Sequence, residues 1–284
     1  MKRHALYNIR GNMLDINTKK ALVLDIDGTL TNSKKEITPA TKEAIVKVML
    51  AGHSVILASG RPTPGMRRYE KELELKKYGG YLLSYNGARI VSCQNDETIY
   101  QKTLPSQIPG EIYDFAKENG TGIISYEGEC VLSAFEPDEY IELEARINGL
   151  PIKVVPNFKE YVSFPVNKCL ITAPGEIAAK HEITLQKKYG DMLSIYRSEA
   201  FFLEIMPPKV DKAESLDGIL DIIGVKRENT ICCGDGFNDI SMIKYAGLGV
   251  AMENAKPEVK AVADYITASN DDDGIVKVIE KYIL

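Results

Sequence analysis

The run Ala21-Leu22-Val23-Leu24-Asp25-Ile26-Asp27-Gly28-Thr29-Leu30 constrains this chain more than any other stretch. Consecutive apolar residues without alternation predict a strand buried on both faces, as in a parallel sheet. Open α/β sheets bind ligands at the carboxyl ends of their strands. At that end the run changes at once into two carboxylates, a glycine and a hydroxyl. Asp25 and Asp27 are two apart, so a regular strand sends both side chains to one face. Gly28 admits backbone angles that other residues avoid, so the chain can turn sharply and keep both acids near one point. Acids this close repel each other and resist desolvation, which a cation or a shared proton makes tolerable. An Asp-x-Asp-Gly turn without chemistry is the alternative this stretch alone leaves open.

The 284 residues are long for one domain and comfortable for two. With 44% hydrophobic and 26% charged residues, there is ample material for a core. A net charge of −5 and a pI near 5.5 argue against a nucleic-acid surface. No apolar run approaches the length of a bilayer span. Cys93, Cys130, Cys169, Cys232 and Cys233 are odd in number and form no C-x-x-C pair. They fit a reducing compartment, the cytoplasm, better than a disulfide framework. His4, His53 and His181 are scattered, with no metal-ligand spacing.

Residues 1–19 read as an N-terminal extension, mildly basic and without the apolar region of a secretory signal. An arm, an added strand and a start at Met13 all fit it. From residue 20 strands and helices alternate. Thr38-Pro39 opens a helix with a capping hydroxyl and a proline at the first helical position. Ser54–Ala58 is a second buried strand, closed by Ser59-Gly60-Arg61, and a helix over 65–75 and a strand over 81–85 follow. From Asn86-Gly87 the rhythm changes to antiparallel hairpins and helices, beginning with a hairpin turned at Asn95-Asp96. Pro207-Pro208 stiffens the return, and the alternation resumes with a helix over 212–223 and a strand over 230–235. The expected fold is α/β: a doubly wound parallel sheet over 20–86 and 207–284, with an α+β domain inserted at 87–206.

Polar groups thus recur at strand ends and helix starts of the core. The strings are Asp25-Ile26-Asp27-Gly28-Thr29-Leu30, Ser59-Gly60-Arg61, Asn86-Gly87-Ala88 and Gly234-Asp235-Gly236-Phe237-Asn238-Asp239, with the tail Asn254-Ala255-Lys256-Pro257-Glu258-Val259-Lys260. Together with Lys212 they resemble the haloacid dehalogenase superfamily, and in particular its Cof-type phosphatases. The likeness runs from about Lys20 to the C-terminus. It implies a Rossmann-like core with a large α/β cap between the second and third motifs, where 87–206 lies.

The resemblance also implies roles. Asp25 would be the nucleophile that forms an aspartyl-phosphate, and Asp27 would protonate the leaving alkoxide and then take a proton from water. Ser59, Gly60, Lys212 and Asn238 would hold the phosphoryl group, Lys212 pairing with Asp25 as well. Asp25, the backbone carbonyl of Asp27, and Asp235 would bind Mg²⁺, with Asp239 orienting that shell. Thr29 is expected to fix Asp27 by a side-chain bond, and Arg61 to reach either substrate or a surface acid. Glu253 and Asn254 are expected in a loop near the mouth. One departure stands out: the third motif usually has a small polar residue, lysine, then glycine, and here reads Asp211-Lys212-Ala213. Asp211 places a negative charge beside the lysine.

The chemistry can be argued directly. Phosphate monoesters hydrolyse extremely slowly unaided. A carboxylate nucleophile splits the task into two displacements. Because two anions must meet, a metal ion and a cationic side chain are needed, and an all-oxygen ligand set suits Mg²⁺. An acid can donate near neutral pH only if its surroundings lift its pKa. The expected function is a Mg²⁺-dependent phosphatase acting on a small phosphorylated metabolite, a sugar phosphate by class. A phosphosugar mutase using the same aspartyl-phosphate and a non-catalytic phosphate-sensing module are the alternatives. A halide-releasing dehalogenase is disfavoured, since it has no call on Asp27 or the metal shell. No nucleic acid, membrane or protein partner is expected.

Overall fold

The computed structural model describes residues 18–284 and two short strands before them, Leu6–Tyr7 and Met13–Leu14, which pair antiparallel. The other residues of the expected extension lie outside the described residues. The chain forms two compact units. The first comprises Met1–Gly60, Arg68–Ile99 and Asp211–Leu284; the second comprises Arg61–Arg67 and Tyr100–Val210.

The first unit is built on an eight-stranded sheet. Its order is Tyr265–Ile266, Leu248–Ala251, Thr230–Gly234, Ala21–Leu24, Ser54–Ala58, Tyr81–Ser84, Arg89–Ser92 and Thr98–Gln101. The six strands from Tyr265–Ile266 to Tyr81–Ser84 pair in parallel. Alternation along the strands feeds two cores. Ala21, Val23, Ile56 and Ala58 cluster with Leu216, Ile219 and Leu220 of the helix Lys212–Ile223, and with Met242. Leu22, Leu24, Val55 and Leu57 are equally buried. Helices Pro39–Leu50 and Gly274–Tyr282 bury Ile45, Val48, Ile275 and Ile279, pack against each other, and the first also meets Ser54–Ala58.

Connectivity reverses at the central strand. From Ala21–Leu24 the chain builds outward through Ser54–Ala58, then returns on the opposite side as Thr230–Gly234. Such a switch point opens a crevice at the strands' carboxyl ends. Leu24 is in register with Cys233, and Asp25 N donates to Cys233 O at 3.0 Å, so Asp25 and Asp235 end neighbouring strands.

The hairpin expected inside the insertion belongs instead to this sheet. Arg89–Ser92 runs antiparallel to Tyr81–Ser84, and Thr98–Gln101 flanks it. Three consecutive residues, Tyr85, Asn86 and Gly87, have positive φ of 52, 53 and 105°. They reverse the chain on the spot instead of leading it away. The boundary expected at 86/87 therefore falls inside the core sheet, and the long segment of the second unit begins at Tyr100.

The second unit holds a six-stranded sheet in the order Ile152–Val154, Cys130–Ser133, Gly122–Glu127, Cys169–Thr172, Phe202–Met206 and Ser194–Glu199. Only the pairing of Ile152–Val154 with Cys130–Ser133 is parallel. Ile123, Leu132, Ile171, Leu203 and Ile205 form its core with Ile112 and Leu185 of helices Ile108–Asn119 and Gly175–Tyr189. Ile152–Val154 and the short helix Phe158–Tyr161 were not expected from the sequence, being too short for periodicity to register.

Candidate active site

Lys212 organises the site. It is the first residue of the helix Lys212–Ile223 and only 1% exposed. Its Nζ donates to Asp25 Oδ1 at 2.7 Å, Asp239 Oδ1 at 2.6 Å and Ala58 O at 2.9 Å. An ammonium has three N–H donors, so this set uses all of them. The nearby Asp211 does not weaken that arrangement, because its carboxylate caps the helix, accepting from Ala213 N at 2.8 Å and Glu214 N at 3.3 Å.

Asp239 also spends both oxygens. Oδ1 takes Lys212, and Oδ2 accepts from Asp235 N at 3.0 Å and Gly236 N at 2.9 Å. It thereby shapes the turn that presents Asp235. Oxygens of Asp25, Asp235 and Asp239 lie within 4.8 Å of one another, the one such cluster of metal-capable side chains among the described residues. With Asp239 committed, Asp25 and Asp235 are the carboxylates left for an ion. Among the described residues neither Asp25 Oδ2 nor Asp235 Oδ2 takes a hydrogen bond.

The turn after Asp25 is fixed by its own backbone. Leu30 N donates to Asp25 O at 3.1 Å and Thr31 N to Ile26 O at 3.0 Å. Gly28 sits at φ 84°, where a Cβ would lie 2.5 Å from Asp235 Oδ2. Glycine there lets the turn lie directly against the second carboxylate. This geometry corrects one expectation: Thr29 Oγ1 donates to Asp235 Oδ1 at 2.9 Å. The hydroxyl serves the acid of the neighbouring strand, because the Gly28 turn carries residue 29 back toward it. Asp27 instead meets a partner that sequence reasoning missed, Lys35 Nζ at 3.1 Å from its Oδ1. Lys35 lies in the tight turn over 32–36, where Asn32 Oδ1 accepts from Lys34 N and Glu36 N. Only its nearness in sequence hinted at this role.

Ser59, Gly60 and Asn238 share one neighbour, Asn86. Ser59 is 3% exposed, its N donating to Leu83 O and its O accepting from Asn86 N, both at 2.9 Å. A Cβ on Gly60 would sit 3.2 Å from the Asn86 side chain, and Asn238 Nδ2 donates to Asn86 Oδ1 at 3.1 Å. Asn86 thus ties the Ser59-Gly60 turn to Asn238. Arg61 lies in the second unit, where its guanidinium donates to Ile147 O at 2.8 Å and Asn148 Oδ1 at 3.4 Å.

The electrostatics show a deficit of positive charge. Burial pushes Asp25 well above the usual carboxylate range; Asp239 adds to this and Lys212 opposes it. Asp235 is held up at about 6, mainly by burial, with the Thr29 hydrogen bond pulling the other way. For Lys212, burial works against the charge, but Asp239 and Asp25 outweigh it and the net shift is upward. Three carboxylates around one ammonium are short of cations. A divalent ion bound by hard oxygen donors fits both that shortage and the unengaged Oδ2 of Asp235.

Comparison with known proteins bears on the same constellation. A model of the haloacid dehalogenase-like hydrolases matches residues 22–279, nearly the whole chain. The chain is a haloacid dehalogenase-like hydrolase. Within that group it is a Cof-type phosphatase with an inserted α/β cap. A haloacid dehalogenase-like hydrolase from Bacteroides thetaiotaomicron shares 41% identity at TM-score 0.90, over 93% of this chain and 99% of that one. The sugar phosphatase BT4131, of subclass IIB, shares 29% at TM-score 0.78, covering 92% and 98%. The Bacillus subtilis 5-amino-6-(5-phospho-D-ribitylamino)uracil phosphatase YitU is 30% identical over 277 residues, 94% of this chain and 99% of YitU. This hydrolase therefore shares its whole architecture with phosphatases.

Proposed function

We propose that this phosphatase hydrolyses a small phosphorylated metabolite, a sugar phosphate by class, through a phosphorylated Asp25 and with Mg²⁺. The observation that carries the reading is the state of Asp25. Its Oδ1 is held by a buried lysine, while Oδ2, at the carboxyl end of the central strand, takes no hydrogen bond among the described residues. The sugar class is supported by one neighbour called a sugar phosphatase and one relative named for a phosphorylated ribityl compound. That none of the five cysteines forms a disulfide supports a reducing compartment, the cytoplasm.

Asp25 Oδ2 bonds to phosphorus as the bond from phosphorus to the leaving oxygen breaks, and Asp27 gives that oxygen its proton. The ion pair with Lys35 steadies the Asp27 carboxylate left behind. Asp27 then takes a proton from water, the water oxygen bonds to phosphorus, and the bond to Asp25 breaks. Phosphate leaves with the Asp25 carboxylate restored. Ser59, Gly60 and Asn238 are assigned to the phosphoryl oxygens. Lys212 acts through its charge, since all its donors are engaged. Mg²⁺, held by Asp25, Asp235 and the Asp27 carbonyl, would supply positive charge against the phosphoryl oxygens.

The test is phosphate release from p-nitrophenyl phosphate and a panel of sugar phosphates, with and without Mg²⁺. The expected result is turnover lost on chelation. Tight phosphate binding without release would favour the sensing module, and isomerised sugar phosphate without free phosphate would favour the mutase. A pH signature accompanies it. With a folded pKa of about 6, above the ordinary carboxylate value, Asp235 favours the folded state in its protonated form. That contribution is complete at low pH and lost as pH rises through about 6. A cation relieves the ionised form. Saturating Mg²⁺ should raise Tm by roughly 5 °C or more near pH 7.5 and hardly at all near pH 4.5. Equal shifts at both would count against this charge balance.

A further inference from the structure

The loop after the strand Leu248–Ala251 is bound to both acid-bearing turns of the first unit. Its backbone joins the Asp235 turn: Met252 N donates to Gly234 O and Lys256 N to Asp235 O, both at 3.1 Å. The side chain of Asn254 makes the link to the other turn. Asn254 Nδ2 donates to Gly28 O at 2.8 Å, and its Oδ1 accepts from Asn270 N at 3.0 Å. Asn270 then continues the bridge, its Nδ2 donating to Thr31 O at 2.8 Å.

We infer that Asn254 is a positioning residue for hydrolysis, locking the Gly28–Thr29 peptide so that the Asp25/Asp27 turn and the Asp235 turn keep one spacing. The inference rests on the assignment of Asp25, Asp27 and Asp235 made above. The Gly28 carbonyl and the Thr29 N–H share a planar peptide unit, so the bond to Gly28 O sets the orientation of both residues. Gly28, at φ 84°, lacks a side chain to restrict rotation there, and so an outside contact must supply the restriction. Thr29 Oγ1 is the direct link from that peptide to Asp235, at 2.9 Å. Asn254 holds the same peptide to a loop that is itself bonded to the Asp235 turn through Met252 N and Lys256 N. A single amide hydrogen bond at an exposed position contributes little to stability. Misplacing reacting groups by about 1 Å, by contrast, can cost roughly 100-fold in rate. The two consequences are separable by experiment.

Asn254→Leu keeps the side-chain shape and removes donor and acceptor together. The full-length variant should lose about 10- to 100-fold in kcat on p-nitrophenyl phosphate, with KM within about 3-fold. Its calorimetric affinity for Mg²⁺ alone should weaken about 10-fold, and Tm should fall by less than about 4 °C. Asn254→Gln, which retains the amide on an exposed loop, should recover most of the kcat and the Mg²⁺ affinity. Wild-type kcat and Mg²⁺ affinity in Asn254→Leu would overturn the role. Equal impairment of Asn254→Leu and Asn254→Gln, in proportion to Tm, would overturn it too. A wild-type protein without Mg²⁺-dependent turnover would instead sink the assignment on which the inference stands.

Discussion

Asn in place of Asp25 is expected to abolish turnover, by at least about 10⁴-fold, with the fold intact. An amide is nearly isosteric with the carboxylate but is no nucleophile, so the first displacement has no attacking atom. Structure should survive for two reasons. Burial disfavours the Asp25 charge, so neutralising it removes a penalty. Lys212 also keeps two partners, Asp239 at 2.6 Å and Ala58 O at 2.9 Å. The check is phosphate release alongside Tm and circular dichroism for Asp25→Asn. Activity within about 10-fold of wild type would move the nucleophile elsewhere or remove it.

Lys212→Met is expected to damage stability and activity together. The ammonium faces Asp25 and Asp239, and all three side chains are nearly sealed from solvent. Removing the one cation leaves two buried carboxylates uncompensated, which costs about 3–5 kcal/mol. In a chain of this size that corresponds to a Tm fall of roughly 10 °C. Turnover should drop by about 10³-fold or more, because Asp25 loses both the bond that orients it and the charge that favours its ionised form. The two effects are coupled to Asp25 in a measurable way. In the double variant Lys212→Met/Asp25→Asn one of the stranded charges is gone, so its stability should exceed the sum of the single changes. Strict additivity would show that the pair is not held by charge.

The core was legible because its strands announce themselves. Ser54–Ala58 and Leu248–Ala251 are buried runs without alternation, and Thr38-Pro39 opens the helix Pro39–Leu50. The hairpin over 89–101 was not, since a local change of rhythm says that strands turn antiparallel but not which sheet they join. That was decided by the left-handed run Tyr85-Asn86-Gly87, in which two of the three residues are not glycine. At the site, the residue types and their order pointed to one place, and the structure brings Asp25, Asp235, Asp239 and Lys212 together there. Side-chain destinations were harder to read. Thr29 goes to Asp235, not Asp27, because a single glycine φ redirects the chain. Asp211 looked like a misplaced charge and is a helix cap. Lys35 and Asn254 act across loops, where no periodicity marks them.

Whether the phosphoryl group passes through Asp25 is decided most directly at phosphorus itself. A phosphorothioate ester made chiral at phosphorus with two oxygen isotopes, turned over by the wild-type protein in water carrying the third, reports the number of displacements in the configuration of the thiophosphate released. Transfer to Asp25 and then to water inverts the centre twice, so net retention is expected. Net inversion would mean that water attacks the ester in a single step, and it would contradict a nucleophilic role for the acid that ends the central strand.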